Sequence, residues 1–208
     1  TVNAYYNPAI NEMVFPAGIL QAPFFNRAAP EPVNYGAIGM VVGHELTHGF
    51  DDQGRKYDAK GNLTDWWTPE VARDFDRRAE CLVEQYAAYE TGPGVKLNGK
   101  LTLGENIADL GGLRLAYAAM QAARGEKEVA PEVAGFGPEE QFFVGYAQSW
   151  CAKYREETLR LRAVTDPHSP AMQRVNGPLS NMPEFAAAFR CEEGAPMVRP
   201  PGQRCEVW

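Results

Sequence analysis

Within one short stretch, His44-Glu45-Leu46-Thr47-His48, two imidazoles and a carboxylate stand at fixed offsets. At ~3.6 residues per turn, side chains four apart share a helix face, so both rings can reach a single metal ion. Zinc accepts neutral imidazole nitrogens at ~2.0 to 2.1 Å, and a catalytic site needs three protein ligands plus a position open to water. Such an ion lowers the pKa of its water towards ~7, and a carboxylate beside it, Glu45, can take the proton and hand it to a leaving amine. Two of the chain's three histidines fall in this motif, which argues against a chance match.

The third ligand decides the class of site. A metzincin needs glycine at position 51 and histidine at position 54, where this chain has Asp51 and Gly54. Glu105, in Gly104-Glu105-Asn106-Ile107-Ala108-Asp109, is the candidate. Glu105 and Asp109 stand four apart on an expected helix, a like-charge spacing that costs ~0.2 to 0.5 kcal/mol unless a cation compensates. A metal ion and its histidine would do so, with Glu105 as ligand and Asp109 accepting the free ring N–H of that histidine. The competing reading is a capping box from Thr102 to Glu105, which leaves Asp109 unexplained. His168, in a loop between Pro167 and Pro170, could stabilise an oxyanion if it hangs over the metal, but a lone loop histidine is more often a solvated surface residue, and the residues alone favour that reading.

These residues need helices to hold them. Ile38, Val41, Val42, Leu46 and Gly49 recur at helical steps, which predicts a helix carrying the histidines with that stripe buried. The segment 51–65 is a loop, and Thr68-Pro69 starts a long helix whose stripe is Val71, Phe75, Leu82, Val83 and Tyr86. Gly92-Pro93-Gly94 is expected to end it, with a hairpin turn at Asn98-Gly99. Helices are further expected over 102–121, with Gly111-Gly112 as a weak point, after Pro138 with Phe142, Phe143, Tyr146 and Trp150, and over about 183–189. The segment 1–6 reads as strand, and Val14-Phe15 and Ile19-Leu20 as short extended pieces broken by proline.

The 208 residues suit one α-rich domain. With 45% hydrophobic and 23% charged residues the chain is globular rather than disordered. Its 20 basic against 27 acidic residues, a net charge of −7 with no clustered basic face, argue against a nucleic-acid partner. No apolar run is long enough to span a membrane, so this chain itself makes no membrane contact. It opens on Thr1 within an apparent strand, as a C-terminal piece of a longer product would. Cys81, Cys151, Cys191 and Cys205 form no C-x-x-C pair, and their spacing leaves disulfides and buried thiols both open.

Five ordered motifs, Val2-Asn3-Ala4-Tyr5, Val14-Phe15-Pro16-Ala17-Gly18-Ile19-Leu20-Gln21, Gly43 to Asp52, Gly104 to Asp109 and Cys205-Glu206-Val207-Trp208, run the length of the chain. Together they resemble the C-terminal catalytic part of the neprilysin and endothelin-converting-enzyme family of zinc metallopeptidases. That resemblance implies a mainly helical fold with a small β component, residues 1–208 forming the C-terminal part of a thermolysin-like zincin (gluzincin) catalytic domain whose N-terminal lobe lies outside this chain. It implies one zinc ion per chain and cleavage of oligopeptides on the amino side of hydrophobic residues. By position, His44, His48 and Glu105 match the zinc ligands, Glu45 the general base, Asp109 the carboxylate behind a ligand histidine, and His168 the transition-state histidine. Asn3 and Ala4 match an edge strand that adds the substrate as a further strand. Arg174 matches an arginine that holds a substrate carbonyl, and Ile19, Phe24, Met40, Val41 and Trp150 match the specificity pocket. Ser149 departs from the aliphatic residue expected there. The family is extracytoplasmic, and in its disulfide-bearing members the cysteines matching Cys81 and Cys205 pair, while those matching Cys151 and Cys191 bond to the N-terminal part. That part of the same protein is the implied partner, supplying a second lobe, and without it the chain should be a poor peptidase or only a peptide-binding piece.

Overall fold

The computed structural model describes residues 1–92, 94–125 and 131–208. A small hairpin opens the chain, β1 (Tyr5–Asn7) antiparallel to β2 (Glu12–Val14), with Tyr5 opposite Val14. The ladder starts later than expected: Asn3 and Ala4 precede the paired strand. Ile19 belongs to a 3-10 turn, Ala17–Ile19, because Pro16 offers its carbonyl to the Ile19 N–H at 3.1 Å in place of a ladder partner.

A helical run follows, α1 (Glu31–Asn34), a π turn over Tyr35–Gly39 and α2 (Met40–His48). The expected stripe is reversed at its centre. Val42 and Leu46 are exposed, whereas Met40, Gly43, His44, Glu45 and Thr47 are buried. The face turned inward is the one that carries Gly43, which meets Gly112 of a later helix, together with His44 and Thr47, and this leaves Val42 and Leu46 outside. Phe50, Leu115 and Trp208 adjoin Leu46 in an apolar groove of about 700 Å3 on this outer face.

Thr68 caps α3 (Pro69–Ala87) by accepting from Val71 N at 3.3 Å, and Phe75, Leu82, Val83 and Tyr86 are buried; Val71, in the first turn, is exposed. The hairpin lies earlier than Asn98-Gly99: β3 (Glu90–Gly92) pairs with β4 (Val95–Lys96). Pro93, within the expected stop signal, lies outside the described residues. Asn98 instead tightens the approach to α4 (Leu103–Arg124), its side chain accepting from Leu101 N and its carbonyl from Thr102 N. Thr102 makes no capping box: its hydroxyl donates to the Asn98 carbonyl, which leaves Glu105 to other partners.

After α5 (Pro138–Ser149) come two helices the sequence pattern did not reveal, α6 (Glu156–Thr165) and α7 (Ala171–Ser180), then α8 (Pro183–Ala188). Helix α6 buries only Ala163 and leaves Leu161 and Val164 exposed, and α7 contains Pro178, so neither shows a clean stripe. The core joins Phe75, Leu82 and Tyr86 of α3 to Ile107, Leu110 and Leu113 of α4 and to Phe142, Phe143 and Tyr146 of α5. Among the described residues no helix is long and apolar enough to cross a membrane.

Cys81 and Cys205 form a disulfide across a separation of 124 residues, while Cys151 and Cys191 are free thiols in this chain. A loop of that length corresponds to about 5 kcal/mol of unfolded-state entropy in the chain-entropy account. Cys81→Ser in the full-length protein should therefore lower unfolding stability by about 2 to 5 kcal/mol in urea titrations. A change below ~0.5 kcal/mol would show that the tail is held by packing alone.

Candidate active site

The candidate metal-binding residues come from two helices that touch backbone to backbone. A Cβ on Gly43 would meet the Gly112 carbonyl oxygen at 2.6 Å, and one on Gly112 would meet His44 N at 2.4 Å. Gly112 is therefore a point of close approach rather than a weak point, and it draws the acidic face of α4 up to the histidines of α2.

His44 Nε2 lies 3.0 Å from His48 Nε2 and 3.3 Å from Glu105 Oε2, and His48 Nε2 lies 3.7 Å from Glu105 Oε1. Donors bound tetrahedrally at ~2.0 to 2.2 Å stand roughly 3.3 Å apart, so these separations are those of one coordination shell. The opposite ring nitrogens face carboxylates. His48 Nδ1 meets Asp51 Oδ2 at 2.7 Å, and His44 Nδ1 approaches Asp109 Oδ1 to 2.9 Å along a bent path. With protons drawn to both Nδ1 atoms, two Nε2 lone pairs converge on one point beside Glu105 Oε2, a buried oxygen with no hydrogen-bond donor. Lone pairs so arranged repel unless a cation sits among them, and the donor set, two imidazoles and a carboxylate, suits zinc.

Below the cluster Asp109 is wholly buried and takes a two-point ion pair from Arg174, Nε to Oδ2 at 2.8 Å and Nη2 to Oδ1 at 2.6 Å. Burial alone would raise the Asp109 carboxyl, but Arg174 and His44 reverse this and hold it well below the usual carboxylate range. Burial opposes charge on His44 too, yet Asp109 and Glu105 outweigh it and lift the imidazole to about 9. Glu105 is likewise lowered, its burial offset by His44 and Arg174. Glu45 goes the other way: burial pushes its carboxyl up, against the pull of His44 and His48.

A cleft of about 550 Å3 opens over these groups. Asn3, Ala4, Ile19, Phe24, Met40, Val41, Trp150, His168 and Arg174 all line it, together with His44, Glu45, His48 and Glu105; Asp109 lies behind the wall. Arg174 is not free to swing, since its guanidinium is clamped on Asp109 and lies 4.0 Å from the Trp150 ring centroid. Nη1 has no protein partner among the described residues. Ser149 does not line the cleft, because its hydroxyl donates back to the Gly145 carbonyl at 3.1 Å. His168 Nε2 stands 3.2 Å from Glu105 Oε1, and its Nδ1 is held by Asp166 at 2.9 Å.

Two of these carboxylates were not foreseen as ring partners. Asp51 follows His48 by three residues and its Oδ1 also collects the N–H groups of Gln53 and Gly54, a local turn that the spacing alone would have allowed. Asp166 stands two before His168 and accepts both its ring and backbone N–H, again a local pattern.

A helical domain whose paired helices present two histidines and a glutamate at coordination distances is a gluzincin metallopeptidase domain. The chain belongs to Peptidase family M13, which matches residues 3–206. It is 52% identical to human endothelin-converting enzyme 1 and 50% identical to neprilysin-1 of Caenorhabditis elegans, covering all of this chain but 27% and 28% of those proteins. Among solved structures it matches Mycobacterium tuberculosis zinc metalloprotease ZMP1 in complex with inhibitor at a TM-score of 0.95 and 46% identity, over the whole chain and 32% of that one. PepO from Lactobacillus rhamnosis HN001 matches at 0.89 and 37%, over 31% of its length. The chain thus spans under a third of each relative.

Proposed function

We propose that this chain carries the zinc-binding and catalytic residues of an endopeptidase that cuts oligopeptides on the amino side of hydrophobic residues, with one zinc ion held by His44, His48 and Glu105. The observation that carries this reading is the convergence of those three donors at 3.0, 3.3 and 3.7 Å beneath a cleft with an apolar wall. Bound zinc supplies a Lewis acid that polarises the scissile carbonyl and acidifies water. Glu45 takes the proton from the attacking water, helped by the burial that raises its carboxyl, and passes it to the departing amine. His168, with Nδ1 fixed on Asp166, directs Nε2 at the oxyanion. Asp109 holds His44 and Arg174 in place, and Arg174 Nη1 is the donor available to a substrate carbonyl. The backbone at Asn3 and Ala4, ahead of β1, would extend along the peptide by strand addition. Ile19, Phe24, Met40, Val41 and Trp150 would receive the side chain after the cut.

The rest of the protein, by the length of the relatives, would close the cleft and cover the exposed face of Val42, Leu46 and Phe50. The Cys81–Cys205 disulfide favours an extracytoplasmic site of action, since such bonds persist in oxidising compartments.

The test is a pair of quenched peptides, identical except for Phe or Asp at the position after the scissile bond, given to the full-length zinc-loaded protein. Burying an aromatic ring is worth ~1.5 to 3 kcal/mol, so kcat/KM should favour Phe by roughly 10- to 150-fold, with cleavage before it by mass spectrometry. Equal values for the two peptides would overturn the specificity, and no cleavage of either would overturn the activity.

A further inference from the structure

One buried side chain next to the ligand Glu105 takes no part in the chemistry above. Asn106 is fully buried; its Nδ2 donates to Thr102 Oγ1 at 2.9 Å and its Oδ1 accepts from Ser169 Oγ at 2.8 Å. Ser169, also buried, is the residue after His168. Thr102 Oγ1 in turn donates to the Asn98 carbonyl, so the direction of every bond in this chain is set.

The His168 ring is held by Asp166 at Nδ1 and meets Glu105 Oε1 at 3.2 Å through Nε2, the nitrogen it must offer to the oxyanion, so neither contact fixes the height of its backbone. Its side chain is 43% exposed and it lies in the short connection 166–170 between α6 and α7. Asp166 fixes the rotation of the ring but belongs to the same connection, and its other oxygen is tied to Arg162 of α6. The Ser169–Asn106 bond instead ties the connection to α4, the helix that carries Glu105 and Asp109. Helix and histidine loop are 63 residues apart in sequence, so no local turn can set their separation.

Resting on the role given to His168 above, we infer that Asn106 and Ser169 are positioning residues: their hydrogen bond sets the height of His168 Nε2 over the cleft. Oxyanion donors act only within ~2.7 to 3.1 Å of the developing charge, and a 1 Å displacement can cost ~10²-fold. Removing the Ser169 hydroxyl also strands Asn106 Oδ1 in a buried place without a donor, which favours a shift of the loop.

The experiment compares Ser169→Ala, His168→Ala and the double variant in the full-length zinc-loaded protein. Ser169→Ala should lower kcat about tenfold, with KM within about twofold and zinc content unchanged. In the His168→Ala background the same substitution should change kcat by less than about twofold, because its effect passes through the imidazole. Hydrogen exchange of the segment 163–173, measured on zinc-free protein, should quicken several-fold in Ser169→Ala and in Asn106→Ala while α3 stays protected. An equal tenfold loss in both backgrounds, or a Ser169→Ala kcat within about twofold of wild type, overturns the proposal. If His168→Ala is itself near wild type, the oxyanion role has failed rather than the tether, and unchanged exchange at 163–173 then refutes the tether as well.

Discussion

Glu45→Gln in the full-length protein should lower kcat by ~10²- to 10⁴-fold while one zinc remains bound and KM changes little. The amide keeps the shape and hydrogen-bonding reach of the carboxylate but cannot accept the proton of the attacking water. Glu45 is not one of the three converging donors, so metal affinity should be spared. Its buried position makes the loss larger than for an exposed base, because no water chain substitutes easily for the missing carboxylate. Steady-state kinetics beside elemental analysis checks both halves. A kcat within about tenfold of wild type would mean that another group removes the proton.

The second large effect is expected at Asp109. An exposed pair such as Arg77 and Asp74, though only 2.5 Å apart, is worth ~0 to 1 kcal/mol, because water screens it. Asp109 and Arg174 are both buried and joined by two bonds, so Asp109→Ala leaves a guanidinium without its counter-charge in the interior. Loss of one partner in such a pair costs ~3 to 5 kcal/mol, and loss of the carboxylate behind a ligand histidine weakens metal binding ~10- to 100-fold. Urea unfolding of the zinc-free protein and chelator competition on the loaded one separate the two effects. Asp109→Asn should retain part of the stability, since an amide oxygen still accepts from Arg174. A stability loss below ~1 kcal/mol in Asp109→Ala would show that water or Glu105 takes over the guanidinium; Nη2 already lies 3.5 Å from Glu105 Oε2.

The legible part of this site was the part written within single helices. His44, Glu45 and His48 share one turn, and Glu105 and Asp109 another, so helical geometry alone grouped them. The Cys81–Cys205 pairing, the cleft-lining residues and Arg174 came from resemblance, and nothing in their spacing would have joined them. What stayed hidden depended on contacts between distant segments. Helix α2 turns Val42 and Leu46 outward because Gly43 must meet Gly112 and the polar face must meet α4, and periodicity cannot say which stripe faces in. Asn98-Gly99 carries a hairpin signature, but its side chain and carbonyl were used to start α4, and the strands turned earlier. Helix α7, which brings Arg174 to Asp109, packs only Val175 and Leu179 on the core and is otherwise anchored by polar partners: Gln85 Nε2 donates to the Gly177 carbonyl and Asn181 Nδ2 to Gln85 Oε1. Polar anchors of that kind leave no hydrophobic period to read.

The most direct measurement on the account as a whole is the zinc affinity of the full-length protein and of its Glu105→Ala variant, by competition with a chromogenic chelator and elemental analysis after gel filtration. Glu105 is the donor that joins α4 to α2, and every role assigned here is placed relative to the ion it helps to hold. Wild type and Glu45→Gln should each retain one zinc, whereas Glu105→Ala should emerge from the column with almost none and bind at least ~100-fold more weakly. One zinc per chain at wild-type affinity in Glu105→Ala would contradict the account, since the ion would then be held by a different set of ligands.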